Sequence, residues 1–464
     1  MGIRSRLRSI LPPTNRHFEA EIASLHDDLA RVGADSDAAL RTAFQELLAE
    51  NRALRDSLAE ANERLGAVQE KFRYGSFEYL TLDRARSGRR ILLAGWYGAS
   101  NCGDELMLQS ILQHFEGRGV RVSVLLWDDP DYDIRSLPAF VDPVHYPRSR
   151  WELRQLAEYF DALVWGGGAI IDDGQFNDDV SNFNTGNLLI WLSEEMIARG
   201  KDVYAVGLSA NERLAAGGEY ARRLAGVFAG CHHVSLRDGY SRDVLAGIGV
   251  DVSTIELCED VVFGSRAIGN VATSKDEKGP FVLGFVPIFL PGLEEHNRHV
   301  LSLLAELLKQ RYGADFRIRL IPFYDFWHFD TVHFDSLLEG FDGADFVEVA
   351  PYCTDLMETP LRSCDAVVGY RYHACLVSAA SAIPTLFMCV NSHPHYRNKM
   401  RHLAELFSAE RNLVECSSTE DDGALRSHFV DMLEKPVRPV VPKDLFATVD
   451  TYLDRLCSRI VKGD

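Results

Sequence analysis

The amino-acid sequence predicts an α/β protein of two similar lobes, each built on a mostly parallel sheet, preceded by an N-terminal coiled-coil helix. Three observations predict it. Short β-branched runs alternate with helix-length amphipathic segments, the pattern that places helices on both faces of a parallel sheet. That alternation lapses once, in the polar stretch AIGNVATSKDEKG at 267–279, and then resumes. Residues 15–72 have a different texture, almost free of glycine and proline. At 464 residues the chain also exceeds the roughly 250 to 300 at which a single core stops growing, so two lobes and an appendage are expected.

The first element is the helix. From Leu40 the apolar residues fall on two sevenfold tracks, Leu40, Leu47, Leu54, Ala61 and Val68 beside Phe44, Leu58, Leu65 and Phe72. The tracks are offset as d and a positions are in a coiled coil. Asn51 is the polar residue on the second track, a type that fixes register and favours two strands, and Glu50 stands where it can meet Arg55 of a partner. The expectation is a homodimer through residues 40–72; a long amphipathic helix folded onto its own body is the alternative. The preceding MGIRSRLRSILPP interleaves arginines with apolar residues and lacks the uninterrupted apolar core of a secretory leader. Its Arg4, Arg6 and Arg8 suit at most a peripheral contact with anionic lipid.

The first lobe follows, with strands expected at RRILLAG, RVSVLLW, DALVWGG, DVYAVGL and HHVSLRD. The second repeats the pattern at FVLGFVP, FRIRLIP, DFVEVA, DAVVGYR and PTLFMCV. The boundaries are therefore a tail and coiled-coil helix at 1–75, a first lobe at 88–265, a second at 278–420 and a C-terminal helical segment at 421–464. A ligand cleft is expected between the lobes, outside the carboxyl ends of the strands.

Composition narrows the function. A formal charge of −19 argues against a broad nucleic-acid surface, so any anionic substrate must be captured by a few local cations. Nine cysteines without a C-x-x-C pair suit a reducing cytosol. The longest apolar stretch, FVLGFVPIFL, is about half the length that spans a bilayer. The histidine pairs lack the carboxylate spacing of metal sites, so no metal is expected.

The turn GWYGASNCGDE at 95–105 joins a strand to a helix but is neither a Walker loop nor a dinucleotide fingerprint. Asp104 and Glu105 at the helix start complement its dipole and repel phosphate. The turn therefore suits neutral polyhydroxyl groups: Gly98 and Gly103 allow close backbone approach, Asn101 offers hydrogen bonds and Asp104 offers a base. A capped helix without catalytic role explains the same residues. Gly166, Gly167 and Gly168 end a strand with room for close ligand or backbone contact. Arg371 and His373 straddle a helix N-terminus in the second lobe, where backbone N–H groups and two cations converge on an anion. A surface arginine and a satisfied histidine are the bland alternative. Arg237 and Asp238 end a first-lobe strand before Ser241 at a helix start, which by itself reads first as an Arg237–Asp238 pair tying strand to helix and otherwise repeats the anion-binding arrangement.

In order along the chain, GWYGASNCGDE, VWGGG, SLRDGYS, the CEDVVF turn and GYRYHACLVSAASAIPTL resemble the polysaccharide pyruvyl transferase family, over roughly residues 90–410. The resemblance implies two facing Rossmann-like lobes in a GT-B-type arrangement and transfer of an enolpyruvyl unit from phosphoenolpyruvate to sugar hydroxyls, forming a pyruvate ketal. It implies no cofactor, phosphoenolpyruvate being a co-substrate, and a saccharide or lipid-linked saccharide acceptor met in the cytoplasm or at the inner face of the membrane. Arg237, Arg371 and His373 fall on the family's R-D and R-x-H motifs and would hold phosphoenolpyruvate. His373 or a neighbour would protonate its methylene carbon, and Asp104 would take the hydroxyl proton. Tyr372 replaces the family's usual leucine, GLSANERLAAG replaces a glycine- and proline-rich loop, and Tyr396 and Lys399 partly echo a downstream Tyr-Lys pattern. A nucleotide-sugar glycosyltransferase of the same architecture and a non-catalytic saccharide- or partner-binding scaffold are the rival readings.

Overall fold

Strands dominated by buried aliphatic residues build two sheets in the computed structural model, which describes residues 88–127, 137–147, 149–173, 185–210, 214, 216–268, 279–356, 359–390, 394–416 and 422–463. The expected coiled coil and the basic tail lie outside these residues. The first sheet contains β1 (Arg90–Ala94), β2 (Arg121–Leu126), β3 (Val141–His145), β4 (Ala162–Ile171), β5 (Asp202–Ala210), β6 (His233–Leu236) and β7 (Glu256–Leu257). The second contains β8 (Phe281–Val286), β9 (Phe316–Leu320), β10 (Val347–Val349), β11 (Ala366–Gly369), β12 (Thr385–Val390) and β13 (Leu413–Cys416). Every pairing is parallel.

The spatial orders are β3-β2-β1-β4-β5-β6-β7 and β10-β9-β8-β11-β12-β13. In both sheets the chain reverses direction of travel beside the first strand, between β1 and β4 and between β8 and β11. Such switch points leave a crevice at the carboxyl ends of the strands, where α/β proteins bind ligands. The helices, in chain order, are α1 (Cys102–Leu112), α2 (Arg150–Tyr159), α3 (Thr185–Ala198), α4 (Glu219–Gly230), α5 (Gly239–Gly247), α6 (Glu294–Tyr312), α7 (Phe329–Leu338), α8 (Tyr372–Ala380), α9 (Pro394–Leu406), α10 (Asp422–Glu434) and α11 (Leu445–Lys462). Among the described residues, no helix is long and apolar enough to cross a membrane.

Two apolar clusters fill the outer faces of the sheets, one per lobe. A third runs without interruption from Leu93 and Val124 of the first lobe to Val367 and Phe387 of the second. The lobes thus share a core below the cleft. The C-terminal helical segment packs on both lobes. Leu425 and Phe429 of α10 complete the outer core of the second lobe. Helix α11 returns to the first, where Tyr452 donates to Ser235 at 2.6 Å and Leu453 packs on Gly264 so closely that a Cβ there would stand 2.6 Å from its methyl.

Candidate active site between the lobes

The site begins at the first turn of α1. Asn101 caps that helix, its side-chain oxygen accepting from the Gly103 amide at 3.2 Å. The buried Glu105 carboxylate accepts from the Gly98 amide at 2.7 Å, which closes the turn, and Gly98 has the positive φ of 73° that such a turn requires. The Gly98 amide is therefore engaged within the loop. Gly167 and Gly168 also have positive φ, and a Cβ on either would stand 2.7 Å from Met107 Sδ or Asp104 Oδ1 respectively. Their lack of a side chain makes room for α1. Burial, reinforced by the neighbouring Glu105, pushes the Asp104 carboxyl up to about 8, against the pull of Arg237 and Lys399.

Arg237 leaves β6 and enters the same cluster. Its Nη1 donates to Asp260 Oδ2 at 2.7 Å, and both side chains are almost fully buried. Asp260 also accepts from the Val262 amide at 3.0 Å, so the tight turn Val261–Gly264 fixes its position. Burial alone would raise the Asp260 carboxyl, but His373 and Arg237 beside it hold it well below the usual carboxylate range. Asp238 instead caps α5, accepting from the Ser241 amide at 2.6 Å. The guanidinium of Arg237 lies over the Tyr372 ring of the opposite lobe, 4.5 Å from its centroid.

His373 stands in the first turn of α8 and crosses the cleft. Its ring fits against Gly103 so tightly that a Cβ there would come within 1.9 Å of Nδ1. Its Nε2 lies 3.4 Å from Asp260 Oδ2, within reach of the charge but without completing a hydrogen bond. Burial lowers the imidazole pKa, and the Asp260 charge opposes that effect without overcoming it. Lys399 of α9 is buried nearby, its ammonium pKa driven well down by burial and by Arg237.

Arg371 is the N-cap residue of α8 and anchors a second part of the seam. Its Nη2 donates to the buried Asp330 Oδ1 at 2.6 Å, and its guanidinium carbon lies 5.6 Å from the Tyr324 ring centroid. Tyr324 in turn forms an antiparallel bridge with Asn101, while Cys102 N donates to Phe323 O and Asp325 N to Ser100 O, both at 2.9 Å. Gly103, Asp104, Gly168, Arg237 and His373 are thus gathered in one cluster, and Arg371 joins it through Asp330 and the loop that holds Asn101.

Three polar atoms in this seam are buried without a hydrogen-bond partner among the described residues: Arg237 Nε, Arg371 Nε and His373 Nε2. Buried polar groups rarely go unpaired, and where they do a ligand is a physical explanation. A cavity of about 280 Å³ opens alongside, lined by Asp238, Gly239 and Tyr240 of the first lobe and by Tyr372, Lys399 and His402 of the second. The basic side chains come from both lobes, Arg237 from the first and Arg371 and Lys399 from the second. Among the described residues, no group of three or more His, Cys, Asp or Glu is placed to hold a metal ion.

Sequence reading named no role for Asp260 or Asp330. CEDVVF was the only signal for the first. For the second there was none, since an aspartate in an aromatic stretch has no visible partner 41 residues away.

The polysaccharide pyruvyl transferase family matches this chain over residues 101–393. No curated protein matches it in sequence. Among solved structures, a putative UDP-N-acetylglucosamine 2-epimerase from Listeria monocytogenes is similar with a TM-score of 0.53 at 9% identity, covering 81% of this chain and 97% of that one. The UDP-GlcNAc 2-epimerase of Methanocaldococcus jannaschii is similar with a TM-score of 0.51 at 10% identity, covering 81% of this chain and 100% of that one. At such identities the likeness concerns the fold alone: two parallel-sheet α/β domains in a GT-B arrangement.

Proposed function

The chain belongs to the polysaccharide pyruvyl transferase family, and from that premise we propose that it moves an enolpyruvyl unit from phosphoenolpyruvate onto a pair of saccharide hydroxyls. The observation that carries this reading is the set of buried, unpartnered polar atoms on Arg237, Arg371 and His373. Phosphoenolpyruvate presents a phosphate and a carboxylate on three carbons, and guanidinium groups held by Asp260 and Asp330 are preorganised to receive them. Lys399 adds an amine donor on the cavity wall.

Burial exchanges the two proton-transfer roles expected from the sequence. With its carboxyl near 8, Asp104 is neutral at pH 7 and donates a proton to the methylene carbon. His373, its pKa lowered, is neutral and accepts the proton of the first attacking hydroxyl. That oxygen bonds to the carbon bearing phosphate, the carbon–oxygen bond to phosphate breaks with its electron pair, and the second hydroxyl closes the ketal. Of the two hydroxyl protons, one replaces the proton given to the methyl carbon and one leaves with phosphate. The acceptor is a saccharide, free or lipid-linked. A homodimer through residues 40–72 belongs to the same proposal and rests on the sevenfold tracks.

The test is incubation with phosphoenolpyruvate and a panel of glycans, read by phosphate release and product mass. Glycan-dependent release and a pyruvate ketal are expected. Folded Arg371→Ala and His373→Ala variants that release phosphate at the parental rate would sink the assignment, as would thermal stabilisation by a nucleoside-diphosphate sugar and none by phosphoenolpyruvate. A Gly103→Ala substitution is expected to displace the His373 ring and lower turnover about 10²-fold with circular dichroism unchanged, since small misplacements of a reacting group have effects of that order.

A further inference from the structure

We propose that the indole of Trp327 is the platform on which a pyranose ring of the acceptor stacks, a specificity determinant at the mouth of the cleft. It rests on the reading of the acceptor as a saccharide. The segment FYDFWHFDTVHF, 323–334, follows β9, runs into the first turns of α7 and is rich in aromatic residues. Trp327 and His328, neither of them glycine, both adopt left-handed backbone, with φ of 55° and 58°. Two adjacent residues in that region are strained, and such strain persists only where the surroundings impose it.

Here they do. Asp330 accepts from the Phe323 and Tyr324 amides, each at 2.8 Å. Asp325 Oδ1 accepts from the Thr331 amide at 3.0 Å and its hydroxyl at 2.9 Å. The loop is closed at both ends, and its start is bonded to the Ser100–Cys102 turn of the opposite lobe. What this rigid frame presents is Trp327, 58% exposed.

The indole is the outer end of a ladder that starts at the anion clamp. Arg371 lies over Tyr324, Tyr324 stacks on Phe326 at 6.3 Å and 25°, and Phe326 meets Trp327 edge-on at 6.0 Å. A pyranose has an apolar C–H face and a hydroxyl rim, and it fits a flat ring flanked by polar groups; Asp325 and the exposed His328 flank this one. An anionic lipid surface would instead call for basic neighbours. Trp151 on α2 is equally exposed, at 61%, but sits on regular helix without any such frame.

The experiment uses the full chain with Trp327→Ala, Trp327→Tyr and Trp151→Ala. Each is measured by binding to an oligosaccharide array without phosphoenolpyruvate, by acceptor KM, by thermal shift with phosphoenolpyruvate, and by co-sedimentation with phosphatidylglycerol–phosphatidylcholine vesicles. Trp327→Ala is expected to weaken glycan binding and raise acceptor KM about tenfold, the size of one lost aromatic stacking contact, with the phosphoenolpyruvate shift intact. Trp327→Tyr should recover most of it, and Trp151→Ala should change nothing. Four outcomes overturn the proposal: unchanged glycan binding in Trp327→Ala, loss of the phosphoenolpyruvate shift together with it, loss of vesicle binding alone, or no glycan binding by the parent. A parent chain that binds glycans through Trp327 but neither shifts with phosphoenolpyruvate nor releases phosphate leaves this inference standing and removes the proposed reaction instead.

Discussion

Replacing Asp260 with alanine is expected to lower stability by about 3–5 kcal/mol, the usual consequence of stranding one member of a buried ion pair. Arg237 would be left charged in a dry site, and the Val262 amide would lose its acceptor. Denaturant titration measures this. Asp260→Asn keeps the shape and isolates the charge: its turnover is expected to fall about 10²–10³-fold, because Arg237 and His373 lose the group that orients them. The two variants also differ from the parent in acid. The folded pKa of Asp260 lies below its unfolded value, so its stabilisation is present above the unfolded pKa and is lost as pH falls through the folded one. The parent should therefore lose stability below about pH 4, and Asp260→Asn should show a flatter profile there.

Asp104→Asn is expected to lower turnover about 10²–10⁴-fold, the range for removing a general acid, while raising stability at alkaline pH. The folded carboxyl titrates at about 8 and the unfolded one near its ordinary value, so between them the folded state holds a proton that the unfolded state does not. Stability from this group is complete below the unfolded pKa and is lost as pH rises through about 8. An amide in its place removes that decline. The rate profile carries the same information. If Asp104 is the acid and His373 the base, kcat/KM falls above about pH 8, and its acidic limb lies below the ordinary imidazole value. A profile that rises through pH 8 would return the base role to Asp104.

The strands were legible wherever they are buried on both faces and read as continuous aliphatic runs, as in Ile91–Ala94 or Val282–Val286. The strands that escaped are at or beside edges: β3, VDPVH, with a proline inside, the two-residue β7, and β13, LVEC. Within the site, Arg371 and His373 were visible because a buried strand ends abruptly at a small-residue helix. Asp260 and Asp330 acquire their meaning only from partners on other elements, and spacing carries no trace of such pairs. Gly98 was read as a place of close ligand approach and Glu105 as a partner of the helix dipole, and the structure bonds the Gly98 amide to the Glu105 carboxylate. The difference between helix-capping and ligand-facing carboxylates is set by rotamer and burial, which no linear pattern encodes.

Helix α11 lies against the Val261–Gly264 turn that fixes Asp260, with Val449 and Leu453 seated on Gly264. Synthesis proceeds from the amino end, so the first lobe receives this helix only after every strand of the second sheet has been made. A chain stopped near residue 440 would therefore hold every strand of both sheets and still leave Gly264 uncovered, and with it the turn that places Asp260.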